Sequence, residues 1–133
     1  MLLVCMIKDR YEELARIILD SAITVHKVMG PGLLESVYHL CMIKELELRG
    51  IKVESKIAVP LIYKGYDLDK AYEMDLLVEH EITIELKAVE AMNPIYEAQL
   101  ISYLKLANKK MGFLINFNVP LLKNGFRRFV NNY

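Results

Sequence analysis

The sequence has no surplus of charge. Seventeen Lys and Arg balance seventeen Asp and Glu, so this is not the strongly cationic molecule that advertises nucleic-acid binding through net charge. Cysteine is nearly absent: Cys5 and Cys41 are the only two. That leaves no disulfide framework and no cluster for zinc or iron-sulfur, and Cys41 falls in an apolar helical pattern where a thiol serves as a small hydrophobe. A reducing, cytoplasmic setting is the expectation. The opening apolar run, residues 2–7, reaches charge at Lys8 and is too short for a secretory signal or a membrane span. There is no glycine-rich phosphate loop, nucleophile elbow, internal repeat or linker, and His26, His39 and His80 share no metal-ligand spacing. What remains, 133 residues of 54% hydrophobic composition, fits one domain over residues 1–133 around a single core.

Charge is unevenly spread within that balance. Residues 105–133 hold Lys105, Lys109, Lys110, Lys123, Arg127 and Arg128 and no acidic residue. Such a segment is either a solvated helix face with a tail or a phosphate-facing surface, and composition leaves both open.

The hydrophobic period divides the chain. Leu14, Ile17, Ile18, Ala22, Val25 and Met29 predict a helix over 11–29; "GPG" at 30–32 ends it, and a second helix runs over 33–49 before Gly50. Beyond Gly50, β-branched residues and Tyr predict short strands near 52–59 and 61–72, split by Pro60 and a "KGYD" turn, then strands over 72–78 and 81–89. Asn93 and Pro94 open a helix reaching about residue 108, "MGFLINFNV" reads as a buried strand, and 121–129 reads as a final short helix. The order predicts an α/β domain with one mixed sheet.

The stretch "EMDLLVEHEITIELKAVE", 73–90, sets acidic and basic side chains into a sheet. A turn centred on His80 pairs Val78 with Ile82, Leu76 with Ile84 and Met74 with Leu86. Met74, Leu76, Val78, Ile82, Ile84, Leu86 and Ala88 then share one face, while Asp75 opposes Glu85 and Glu73 opposes Lys87 on the other. Sliding the register by one residue mixes polar with apolar on both faces, which a half-buried sheet penalises. Two carboxylates and an amine therefore converge. Opposed carboxylates repel unless a proton or a cation lies between them, and oxygen ligands of this kind suit Mg²⁺ or Mn²⁺, with Lys87 beside a scissile phosphate. A solvated polar face, with Lys87 simply pairing to Glu73, satisfies the same spacing.

These residues carry a resemblance. Asp75, then Glu85-Leu86-Lys87 on the next strand, resembles the PD-(D/E)xK nuclease superfamily. "GLLESVY" is similar to the signature of its GxxExxY family through Gly32, Glu35 and Tyr38, and "QLISY" to the Gln-x-x-x-Tyr element of RecB-like members through Gln99 and Tyr103. The residue before Asp75 is Met74, so the proline of the name is absent. The resemblance implies a restriction-endonuclease-like αβββαβ core, a mixed central sheet flanked by helices, with an extra N-terminal helix. It implies Asp75, Glu85 and the Leu86 carbonyl as ligands of Mg²⁺ or Mn²⁺, Lys87 as the catalytic lysine, and Glu35 as an added acidic or water-positioning group. Hydrolysis of DNA or RNA by a metal-activated water follows, with DNA favoured, and a homodimer on analogy with relatives.

Other residues admit two readings. Glu35 in the first turn of its helix is favoured there by the helix dipole alone, and Tyr38 reads as a packing residue. Gln99 shares a helix face with Tyr103 and reads as a buried amide that needs partners, either structural ones or a substrate; Lys105, Lys109 and Lys110 continue past it towards a nucleic-acid backbone. Tyr63, Tyr66 and Tyr72 offer rings on which bases could stack, but strands favour Tyr as such and the stacking reading is set aside. The competing function is a noncatalytic nucleic-acid or protein interaction module that retains the nuclease fold.

Overall fold

The computed structural model describes residues 2–133. Helix α1, Leu2–Met29, starts well before residue 11. The reason lies in what is buried: Tyr11, Leu14, Ala15, Ile18, Ala22 and Val25 enter the core, whereas residues 2–10 are exposed throughout. The amphipathic period records only the packed part of the helix. Helix α2, Glu35–Leu48, buries Tyr38, Met42 and Leu46. Tyr38 is indeed a packing residue. Its ring stacks on Phe117, and its hydroxyl donates to the Gly30 carbonyl (2.6 Å) and accepts from the Leu33 amide (3.1 Å), clasping the turn between the helices.

One five-stranded sheet follows in chain order: β1 Val53–Tyr63, β2 Tyr66–Val78, β3 Ile82–Lys87, β4 Met111–Asn116 and β5 Phe126–Val130. Neighbours are antiparallel except β3 and β4, which run parallel and are joined through helix α3, Pro94–Leu106. Asn93 caps α3 as its sequence demands, its side chain accepting from the Ile95 amide at 3.0 Å. The two faces of the sheet are distinct. Met111, Phe113 and Ile115 join Leu76, Val78, Ile82, Ile84 and Leu86 in the main core with α1 and α2, while Leu114 meets Leu100 and Leu104 of α3. This is the α/β, restriction-endonuclease-like architecture with an extra N-terminal helix. Among the described residues no helix is long and apolar enough to cross a membrane.

Three expectations fail in instructive ways. The segments expected at 52–59, 61–72 and 72–78 form one long hairpin. Pro60 is tolerated because β1 is the sheet's edge strand, where one side needs no donor. Lys64 and Gly65 both take positive φ, 49° and 83°, the two-residue turn that matches strand twist, between paired Tyr63 and Tyr66. The final helix expected at 121–129 is a 3-10 turn, Leu122–Gly125, followed by strand β5. An extended segment supplies ladder partners to the otherwise open edge of β4, which a helix cannot. Finally, Met74 leaves the face expected for it and packs with Val59 and Leu77. The registered pairs of β1 with β2 skip the position where Lys56 faces Asp75, and Lys56 sits at φ 55°. Alternation along β2 breaks at that distortion.

Candidate functional site

The β2–β3 ladder is short. It pairs Val78 with Ile82, Leu77 with Thr83 and Leu76 with Ile84, the register centred on His80, and then stops. The next pairs expected, Asp75 with Glu85, Met74 with Leu86 and Glu73 with Lys87, are not made; the strands fork. Side chains of the fork take over the backbone's bonding. Asp75 Oδ2 accepts from the Leu86 amide at 2.8 Å, and the Asp75 amide donates to Glu85 Oε1 over 3.4 Å. Asp75 thus lies in the gap between strands, lacking a ladder partner on β1 as well.

Burial sets the electrostatics of the fork. Glu85 is only 8% exposed, and its pKa is pushed up to about 8, first by desolvation and then by the negative charge of Asp75, with Lys87 opposing. Burial and the neighbouring Asp75 charge therefore both favour the protonated form of the Glu85 carboxyl. Lys87 stands half-buried on the same strand, its ammonium 4.4 Å from the centre of the Tyr96 ring.

Two walls enclose the fork. On one side, the N-terminal turn of α2 brings Glu35, whose carboxyl is shifted upward by local burial and by Asp75, against the pull of Lys87 and His39. The residue as a whole is exposed, so it borders open space. That space is a groove of about 550 Å³ between α2 and the hairpin, lined among others by Glu35, His39, Ser55, Lys56, Glu73 and Asp75. His39 Nε2 and Ser55 Oγ, 2.7 Å apart, bridge its two sides. On the other side stands α3. Tyr72 and Tyr103 stack with ring centres 3.7 Å apart, the Tyr72 hydroxyl donating to the Tyr103 carbonyl at 2.9 Å. Both phenols are raised, chiefly by burial and further by nearby negative charge, Glu85 acting on each.

The family model of the PD-(D/E)XK nuclease superfamily matches residues 12–129, most of the chain. The chain belongs to that superfamily. No curated protein and no solved structure matches it. Membership implies nuclease chemistry, and at the fork Asp75 and Lys87 lie near enough for their charges to act on Glu85.

The nuclease fold gathers some expected residues and scatters others. Asp75, Glu85, Leu86, Lys87 and Glu35 meet at the fork. Gln99 is on α3 between Tyr96 and Tyr103 along one face, and it is exposed, so it is not the buried amide its apolar neighbours suggested. Lys105 is exposed in the last turn of the same helix. Lys109 stands apart: its Nζ donates to the His80 carbonyl at 2.8 Å, at the hairpin turn roughly 16 Å along the strand from Asp75. The basic C-terminal segment is not an open phosphate surface. Arg127 pairs with Glu97, Arg128 with Glu12, and Lys110 donates to the Asn132 carbonyl.

Two supporting residues, Tyr96 and Asn116, escaped the sequence reading, and Tyr72 was set aside there as an ordinary strand tyrosine. Tyr96 had only helix propensity to mark it. Asn116 did leave a signal, an amide inside the apolar "GFLINF". It is 2% exposed, accepts from the Val89 and Asn118 amides and donates to the Val89 carbonyl, fixing the chain just after Lys87.

The donor set fits a hard divalent cation. Among the described residues no three of His, Cys, Asp and Glu gather into a metal cage. Two carboxylates alone suit Mg²⁺, which binds through one or two carboxylates and keeps waters or phosphate oxygens for the rest. A cation in the fork would offset both the burial of Glu85 and the repulsion between its carboxylate and that of Asp75.

Proposed function

We propose that this domain, residues 1–133, is a metal-dependent nuclease of the GxxExxY family, hydrolysing phosphodiester bonds of DNA in preference to RNA, with Mg²⁺ or Mn²⁺ held by Asp75 and Glu85. The observation that carries the reading is the fork: two carboxylates where a ladder ends, one of them buried, with an amine two residues along the same strand. Support for the GxxExxY family comes from Glu35 and Tyr103, which border the fork from opposite sides, and from Tyr38, which clasps the turn holding Gly32.

A cation, when bound, supplies Lewis-acid chemistry, lowering the pKa of water and neutralising phosphate charge. Asp75 and Glu85 would hold it, with the Leu86 carbonyl as a further ligand. Lys87, steadied by the Tyr96 ring, faces the negative charge that develops on the phosphate in the transition state. Glu35, with its raised pKa, is suited to orient the attacking water and accept its proton from the α2 side. Gln99 and Tyr103 contact the substrate strand and Lys105 a phosphate, whereas Lys109 is out of reach. Two copies acting together is the assembly proposed on analogy.

The test is cleavage of labelled single-stranded, duplex and branched DNA and of RNA with Mg²⁺ or Mn²⁺. Wild-type protein is expected to cut, chelation to stop it, and Lys87→Ala to lower the rate by roughly a hundredfold or more. The reading fails if wild type leaves every substrate intact, or if Lys87→Ala cuts as fast.

A further inference from the structure

Most arginines of this protein are engaged within the fold. Of its five arginines, the side chains best suited to phosphate, four are in internal ion pairs: Arg10 with Glu79, Arg49 with Asp20 and Glu45, Arg127 with Glu97, Arg128 with Glu12. Lys109 and Lys110 are tied to main-chain carbonyls. What stays near the fork is Lys87, Lys56 in the groove and Lys105 on α3. Three such contacts fall well short of the roughly six to ten phosphates that duplex-binding proteins neutralise. The groove, about 550 Å³, is of small-ligand size.

Aromatic rings are abundant in the same place. Tyr96 sits under the Lys87 ammonium, and Tyr72 and Tyr103 form a face-to-face pair whose hydroxyl ends feel the charge of Glu85. All three rings are half-buried, bordering the fork on its α3 side. A site poor in cations and rich in rings draws its affinity from base stacking, and a base can stack on protein only when it is released from its own helix.

We infer that the site takes an unpaired strand, a single-stranded end or flap, and that Tyr96 and Tyr72, with Tyr103, form the wall on which a base beside the scissile phosphate stacks. The inference rests on the nuclease reading and adds its substrate class. Tyr96 has a double part, since the ring that receives the strand also steadies the amine that faces its phosphate. Gln99, exposed between Tyr96 and Tyr103, completes the wall with a polar group able to meet a base edge.

The experiment measures binding by fluorescence anisotropy, using Asp75→Asn protein with Mg²⁺ so that the strand stays uncut. Short labelled DNA is offered as a single strand, as a blunt duplex and as a duplex with a single-stranded flap, over a series of salt concentrations. Single strand and flap are expected to bind at least about tenfold more tightly than the blunt duplex. The slope of log affinity against log salt is expected to be no steeper than about −2, as two or three phosphate contacts dictate. In the same background, Tyr96→Leu weakens single-strand binding by roughly five- to a hundredfold, Tyr96→Phe restores it, and duplex binding stays as it was. Tyr103→Leu repeats the pattern in case Tyr96→Leu unfolds, and the salt slope needs no tyrosine variant at all. Equal or tighter duplex binding, a slope near −5 or beyond, or a Tyr96→Leu protein that binds single strand normally overturns the inference. Should wild type cut single strand and duplex alike, only this inference falls; should it neither bind nor cut any nucleic acid, the nuclease reading falls with it.

Discussion

The main-chain amide of Leu86 donates to Asp75 Oδ2 at 2.8 Å, so a side chain occupies the place where a strand's own carbonyl would have closed the next rung. The carboxylate is thereby both structure and chemistry. Asp75→Asn keeps an oxygen acceptor for the amide while removing the charge. It should melt within a few degrees of wild type yet bind Mg²⁺ or Mn²⁺ more weakly by roughly two orders of magnitude, because ligand charge sets affinity. Asp75→Ala should lose the same affinity and also about 1–3 kcal/mol of stability through the amide left without a partner. Calorimetric titration with thermal melting separates the two effects.

Glu85 makes the metal-free protein sensitive to alkali. Its folded pKa, about 8, lies above the ordinary carboxylate value, so between pH 4.5 and 8 the folded state keeps a proton that the unfolded chain releases. Stability from this group is fully present below pH 4.5 and is lost as pH rises through 8. The melting temperature of metal-free protein should fall across that window, Glu85→Gln should flatten the fall, and millimolar Mg²⁺ should offset it. Metal affinity should climb by up to about tenfold per pH unit and level off near pH 8.

At the acid end the sign reverses. The Arg128 guanidinium, gripping both oxygens at 2.8 and 2.5 Å, and the Tyr133 hydroxyl hold Glu12 down at about 2. This contribution is present above pH 4.5 and is lost as pH falls through 2. Glu12→Gln should remove part of the acid destabilisation and leave the alkaline fall attributed to Glu85 in place. Melting curves from pH 2 to 6 on both proteins check it.

Gly112 lets α3 pack tightly against the sheet. A Cβ there would lie 2.9 Å from Thr83 Cγ2 and 3.1 Å from both Leu100 Cδ1 and Leu104 Cδ2. Gly112→Ala should push the helix outward and cost about 1–3 kcal/mol, read as a lower denaturant midpoint. The helix carries Tyr96, Gln99 and Tyr103, so single-strand cleavage should slow by more than the loss of folded protein explains.

What the sequence disclosed was whatever is repeated or locally determined. The centred register of Val78 with Ile82 and Leu76 with Ile84 was legible because any slip would turn a polar row into the core. Asn93-Pro94 announced a helix start on its own chemistry. Met74 was misread because its orientation depends on Lys56, eighteen places earlier in number order but across the hairpin, and period-two patterning carries no knowledge of a neighbour's kink. Strand β5 was hidden for a related reason: Phe126–Val130 becomes a strand through the open edge of β4, which only the assembled sheet creates. At the candidate site, Asp75, Glu85 and Lys87 stood out as charges in a strand. Tyr96 and Tyr72 did not, since an aromatic ring in a helix or strand needs no further reason until its partner is known. Composition left the basic tail undecided, because the glutamates that neutralise Arg127 and Arg128 lie in α3 and α1.

A sheet that unzips partway has two mechanical halves. From Leu76 to Val78 the strand is bonded on both flanks; from Tyr66 to Glu73 it is held by β1 alone. Amide hydrogen exchange should divide β2 at that boundary, slow towards the turn at His80 and quick towards the tip at Gly65. Anything entering the mouth therefore bends a two-stranded ribbon sideways, a soft deformation, and leaves β3, paired to β4 where it carries Lys87, undisturbed.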